Sequence, residues 1–209
     1  MDEIRIVAVD IDGTLTSNDG VVSDANQRAI ELAVAQGVTV VLATGRHKEE
    51  AATFASKFNV DLAIISSCGS TAQLSKDGPN LWHHCIPVDS ARSITAVADE
   101  RGFELFSVVD GVAYLRQRPG ESLGFSEGSA LGHPTTRRVV PTNIDQVVGP
   151  PTKIWAGAEA VQTLTALIDD QLGDSTRYFL AYRGEQATSV DIVNAGASKG
   201  LALTRMAEI

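Results

Sequence analysis

A mostly parallel α/β sheet interrupted by an α+β insertion is the fold class this sequence predicts, and three observations predict it. Residues 4–65 read strand, helix, strand, helix, strand; the residues around Asp110-Gly111 read as an antiparallel hairpin; and after the stretch NAGASKG the chain reverts to a helix. Alternating strands and helices form a right-handed parallel sheet, whereas hairpins build antiparallel sheet, so two domains are expected. The boundaries predicted are 1–83 for the first part of the parallel core, 84–189 for the inserted domain, and 190–209 for the return to the core.

The elements follow in order. Residues 4–9 are apolar on both faces, as in a parallel strand covered by helices on each side. The chain then turns at Gly13. Ser23 and Asp24 are N-cap candidates for a helix whose Ile30, Ala33 and Val34 fall on one face, and Gly37 is placed to end it. Residues 38–43 form a second buried strand; Thr44-Gly45-Arg46 leads into a helix with Ala51, Phe54, Ala55 and Phe58 on one side; residues 62–65 form a third strand.

In the insertion, residues 89–101 are helical and residues 103–117 form two strands about Asp110-Gly111, a dipeptide suited to a type I′ turn. The Gly/Ser/Pro-rich residues 119–134 are a loop, and Pro150-Pro151 precede a strand at 153–156. Val161, Leu164, Leu167 and Ile168 mark a helix closed by Gly173, and strands at 176–182 and 187–193 flank Arg183-Gly184-Glu185. There is no internal repeat.

The 209 residues carry a formal charge of −9 and a pI near 4.8, which argues against a nucleic acid or an anionic membrane surface as partner. Any phosphorylated ligand must be held by a metal ion or a few local groups. Cys68 and Cys85 lack metal-ligand spacing, and no apolar run is long enough to span a bilayer, so a reducing cytoplasmic setting is expected. Oligomeric state has no signature here.

Asp10 and Asp12 close the first apolar run. Side chains two apart on a strand share one face, here at the carboxyl end where open α/β sheets bind ligands. Two carboxylates so close repel unless a cation intervenes, and a hard divalent ion such as Mg²⁺, which takes one or two carboxylates plus substrate phosphate, resolves the repulsion. Gly13 and Thr14 bring backbone N–H groups suited to phosphate oxygens. With one carboxylate attacking phosphorus and the other moving a proton, the pair can run phosphoryl transfer through an aspartyl-phosphate. Thr44, at the end of the second strand, offers a hydroxyl, and Lys199 offers a cation where the chain re-enters the core.

The stretches DIDGTLTSNDG, LATGR and GASKGLAL, in that order around an α+β insertion, resemble the haloacid dehalogenase-like phosphatases, specifically the Cof-type branch with a large cap. The resemblance implies a Rossmann-like core, an inserted cap domain, and Mg²⁺-dependent hydrolysis of small phosphorylated metabolites, commonly sugar phosphates. It makes Asp10 the nucleophile and a metal ligand, and Asp12 the general acid/base that also gives its backbone carbonyl to the metal. Thr44, with Gly45, binds phosphate, and Lys199 orients the nucleophile and neutralises charge. The family's Asn-Gly after the third strand is replaced by Cys68-Gly69. Its last motif, Gly-Asp-x-x-Asn-Asp, is expected after one more helix and strand beyond Lys199, whereas the sequence ends at Ile209. The expectation is a piece of a longer enzyme, with an open sheet edge and an uncovered apolar face on its last helix.

Competing readings are set by spacing. A calcium loop from Asp10 would need Gly and Glu where Leu15 and Val21 stand. Gly173-Asp174-Ser175 imitates the final motif but reads as a helix cap. His83-His84-Cys85 alternate sides of an extended segment and read as packing. Arg46 is either a substrate clamp or a solvated helix-start residue, and Lys153 and Arg183 read as surface partners of acids. A phosphomutase, or a catalytically incomplete phosphate-binding module, remains as an alternative to the phosphatase.

Overall fold

The computed structural model describes residues 4–16, 20–116 and 137–209. They divide into two compact units, Met1–His83 with Ser198–Ile209, and His84–Ala197.

The first unit is built on a five-stranded sheet in the order β1 (Ile6–Val9), β2 (Thr39–Ala43), β3 (Ala63–Ser66), β4 (Thr71–Gln73) and β5 (Trp82–His83). The first three strands are parallel, with Val9 opposite Leu42 and Leu42 opposite Ile64. The last two are antiparallel additions too short to leave a periodic signature. Helices α1 (Asp24–Ala35) and α2 (Lys48–Ala55) share one core with the sheet through Ile30, Phe54, Leu42 and Ile64. Helix α5 (Lys199–Ala207) shares another through Ala202 and Met206, with Val41 and Ile65. Truncating a wholly buried side chain such as Ile64 to Ala would cost about 2–5 kcal/mol.

The predicted helix ends are those observed. The Ser23 hydroxyl accepts from the Asn26 N–H at 3.2 Å, and Gly37 leaves α1 with a φ of 83°. Strand β1 departs from expectation. It is an edge strand, leaving Ile4 69% and Val7 38% exposed, because its outer side pairs with no described strand. An apolar run looks the same at an edge as at the centre of a sheet. Leu201 and Ile209, on and after α5, are also open to solvent.

The second unit holds a six-stranded sheet, in the order β10 (Thr176–Arg183), β11 (Gln186–Asn194), β9 (Lys153–Gly157), β6 (Leu105–Val109), β7 (Val112–Arg116) and β8 (Arg137–Val140). All neighbours are antiparallel except β7 and β8. Asp110 and Gly111 both have positive φ, 47° and 74°, as the type I′ turn between β6 and β7 requires. Helices α3 (Val88–Arg101) and α4 (Val161–Leu167) cover one face through Ile94 and Leu164 against Ile154 and Ile192.

The chain rejoins the first unit at 198 rather than 190. Val190 and Ile192 are wholly buried in the core of the second unit, which keeps β11 there. Gly173 ends the helical stretch with a right-handed φ of −59°, without the left-handed geometry a glycine allows. Lys153 pairs with Asp191 at 2.6 Å as a largely buried side chain rather than on the surface, and Arg183 is exposed. The predicted loop at 119–134 lies outside the described residues.

Candidate active site

Strand β1 stops at Val9, so Asp10 and Asp12 sit in the turn that follows rather than on the strand itself. That turn, Ile11–Leu15, is a wide π-type turn, with the Leu15 N–H donating to the Asp10 carbonyl at 3.2 Å and the Thr16 N–H to the Ile11 carbonyl at 2.9 Å, each five residues back. Gly13 supplies the one left-handed residue in it, with a φ of 73°. Ile11 and Leu15 are buried in the core beneath, so apolar burial anchors the turn while its two acids stay partly exposed.

The two carboxylates are neutralised separately. Lys199 donates from Nζ to Asp10 Oδ1 at 2.7 Å, across 189 positions of sequence. It is the first residue of α5, a helix capped by the Ser198 hydroxyl, which accepts the Leu201 N–H at 3.0 Å. Asp12 is instead gripped by Arg46 through two hydrogen bonds, Nε to Oδ2 at 3.0 Å and Nη2 to Oδ1 at 2.7 Å. The expected mutual repulsion is thus met by two protein cations, one for each acid. Hydrogen bonding to Asp12 holds the Arg46 guanidinium above its usual range despite partial burial, and the Phe54 ring lies 5.6 Å from it.

Thr44 is wholly buried where β2 ends. Because Val9 lies opposite Leu42, Asp10 and Thr44 leave neighbouring strands at the same end of the sheet. The Thr44 hydroxyl accepts the Arg46 N–H at 3.1 Å, and its own N–H donates to the Ile65 carbonyl at 2.9 Å; Gly45 lies in the turn between. Asp10, Thr44 and Lys199 are therefore drawn to one end of one unit by strand register and a helix start.

Two features escaped the sequence reading. Arg46, left between clamp and solvated residue, has a partner 34 positions away that no local pattern announces. His47, the residue before α2, is buried between Glu49 and Glu50, with Nδ1 3.1 Å from Glu49 and Nε2 3.3 Å from Glu50. Burial opposes charging of His47, but the hydrogen bonds to both glutamates outweigh it and hold the imidazole above its usual range; His47 in turn holds Glu49 below the usual carboxylate range.

As to a metal, Asp10 offers hard oxygen: among the described residues no hydrogen bond reaches its second carboxylate oxygen. That donor, with the Asp12 backbone carbonyl, suits Mg²⁺, which leaves several positions to water and substrate phosphate. No group of three or more His, Cys, Asp or Glu that could hold a metal occurs among the described residues, so the protein oxygens present here form a partial set.

Residues 7–209 match the family model described as haloacid dehalogenase-like hydrolase, and the chain belongs to that family. One curated relative is the 5-amino-6-(5-phospho-D-ribitylamino)uracil phosphatase YcsE of Bacillus subtilis, 35% identical over 68 residues, or 32% of this chain and 27% of the relative. A second Bacillus subtilis phosphatase of the same printed activity, YwtE, is 38% identical over 71 residues, 32% of this chain and 23% of the relative. The matched stretches thus span about a quarter of the length of these two curated relatives. Among solved structures, a haloacid dehalogenase-like hydrolase from Bacillus subtilis superposes with a TM-score of 0.79 at 17% identity, covering 98% of this chain and 78% of that one. A subclass IIB sugar phosphatase of the same superfamily gives 0.75 at 14% identity, covering 98% and 75%. At these identities the structures establish the fold.

Proposed function

We propose that this chain carries the reaction centre of a phosphatase that hydrolyses small phosphorylated metabolites, sugar phosphates among them, with Mg²⁺ and through an aspartyl-phosphate on Asp10. The observation that carries the proposal is the 2.7 Å contact of Lys199 with Asp10 at the sheet end where Thr44 also emerges. A nucleophile, a cation and a hydroxyl converge there, at the carboxyl ends of parallel strands where α/β folds bind ligands. The phosphatase relatives lend support to the substrate class.

In the first half-reaction, an oxygen of Asp10 attacks phosphorus, the bond from phosphorus to the ester oxygen breaks, and Asp12 gives that oxygen a proton. In the second, Asp12 takes a proton from water as the water oxygen attacks phosphorus, releasing phosphate and restoring Asp10. Lys199 orients the Asp10 carboxylate and offsets negative charge as phosphate approaches, and the Thr44 hydroxyl donates to a phosphate oxygen. Arg46 holds both oxygens of the Asp12 carboxylate, and Asp12 leaves that grip to carry the proton. When bound, Mg²⁺ lowers the repulsion between the carboxylate and the phosphate, held by Asp10 and the Asp12 carbonyl.

Replacing Asp10 with Asn tests this reading. Release of inorganic phosphate from sugar phosphates should fall by about a thousandfold or more while the thermal melt is retained. Turnover that survives the change rules out the nucleophile. Phosphate released in stoichiometric excess over enzyme separates hydrolysis from a mutase reaction.

A further inference from the structure

Three consecutive residues beside the site, Ser67, Cys68 and Gly69, have φ values of 46°, 56° and 102°. Left-handed backbone is natural for glycine but costly for Ser and Cys, and it persists only where the surroundings over-determine it. The serine hydroxyls do not hold it in place: Ser67 Oγ and Ser70 Oγ are buried and have no hydrogen-bond partner among the described residues. Backbone contacts hold it instead. The Ser67 N–H donates to the Arg46 carbonyl at 2.7 Å and the Cys68 N–H to the Thr44 carbonyl at 3.1 Å, so one side of the segment is fastened to the loop that carries Thr44.

The other side meets the start of α5. A Cβ on Gly69 would lie 2.4 Å from both the carbonyl carbon and the oxygen of Ser198, and 2.9 Å from its nitrogen. Those atoms are backbone and belong to the residue that caps the helix directly before Lys199, so no flexible side chain can yield. The Gly69 carbonyl accepts from Trp82 Nε1 at 3.2 Å, and Arg205 of α5 lies 4.8 Å from the centre of the Trp82 ring. Helix α5 is thereby gauged at both ends against the same segment.

We infer that Ser67–Gly69 is a positioning element, a strained backbone spacer between Thr44 and Ser198 whose missing side chain at Gly69 sets how close Lys199 comes to Asp10. The inference rests on the reading of Asp10, Thr44 and Lys199 as a phosphate site. It assigns Gly69 a role exercised through Lys199 rather than by contact with substrate. A displacement of about 1 Å in such a constellation can cost up to a hundredfold in rate, so even a methyl group is a large perturbation.

The test is a double-mutant cycle on affinity for inorganic phosphate, measured by calorimetry with the parent, Gly69→Ala, Lys199→Ala and the pair combined. Gly69→Ala should weaken binding about tenfold in the parent and less than about twofold when Lys199 is already Ala, because coupled residues are not additive. Equal losses in both backgrounds overturn the inference. Should Gly69→Ala fail to fold, Trp82→Phe, which removes the donor to the Gly69 carbonyl and leaves a smaller ring under Arg205, goes through the same cycle with an expected loss of about threefold and the same criterion. A crystal structure of either variant separates this inference from the phosphatase reading. Lys199 Nζ still within hydrogen-bond distance of Asp10 overturns the positioning role and leaves the phosphatase reading intact, whereas turnover surviving Asp10→Asn removes that reading and leaves the Gly69 geometry in place.

Discussion

Two groups of polar residues, one in each unit, are treated in opposite ways. In the second unit, Asp99 accepts from the N–H groups of Asn143 and Ile144 and from Asn143 Nδ2; Asn143 Oδ1 accepts from the Leu105 N–H; and Gln146 Oε1 accepts from Ser107 Oγ. Asn143, Gln146 and Ser107 are wholly buried, and every bond closes within the network. In the first unit, Asp10 and Lys199 are each about 40% exposed and joined by one contact, with a carboxylate oxygen left over among the described residues. A saturated network has nothing left to offer a ligand and serves stability. An open pair at a strand end keeps acceptor and donor capacity for something that is not protein.

Substitutions in the two places should therefore separate activity from stability. The largest expected effect is on turnover: Lys199→Ala should lower phosphate release by about a hundredfold or more, as loss of a charge aimed at the reacting group does, with a stability change of only about 1 kcal/mol or less for a half-exposed pair. A comparable loss of stability would put the pair in the structural class and break the contrast. Next comes Asn143→Ala, which removes the acceptor of the Leu105 N–H and the donor to the Phe103 carbonyl, while Asp99 keeps its bonds from the N–H groups of residues 143 and 144. Denaturant unfolding should show a loss of about 2–4 kcal/mol. A neutral result there would show that water replaces the side chain and that the network is not closed.

The smallest effect concerns His47, which belongs to neither pattern, being buried yet held above its usual range by its neighbours. A pKa raised above 6.5 in the folded chain contributes stability in full below 6.5 and loses it as pH rises through the raised value. The lowered Glu49 contributes above 4.5 and loses it as pH falls through its own lower value. The stability advantage of the parent over His47→Gln should thus be greatest between about pH 5 and 6.5 and shrink above that range. An advantage that grows with rising pH would contradict the upward shift of His47.

What could be read in the sequence was what local chemistry dictates. Asp110-Gly111 is legible because a type I′ turn needs positive φ at two adjacent residues, and Ser23 because a helix start needs an acceptor. The end of β1 just before Asp10 is legible because a run of apolar residues stops there at an acid. The edge position of β1, the short strands β4 and β5, the grip of Arg46 on Asp12, and the left-handed pair Ser67 and Cys68 depend on partners distant in sequence or on strain imposed by packing. The return point of the chain was misplaced for a related reason: Val190 and Ile192 look alike in either core, and only tertiary packing assigns them to the second unit.

The central claim is that Asp10 carries the phosphoryl group. The most direct measurement is rapid acid quenching of the protein with a sugar phosphate and Mg²⁺, followed by peptide mass spectrometry. The account predicts one acid-stable, base-labile phosphoryl group on the peptide containing Asp10, absent in Asp10→Asn. A phosphoryl group on any other residue, or turnover with Asp10 unmodified at every quench time, would contradict it.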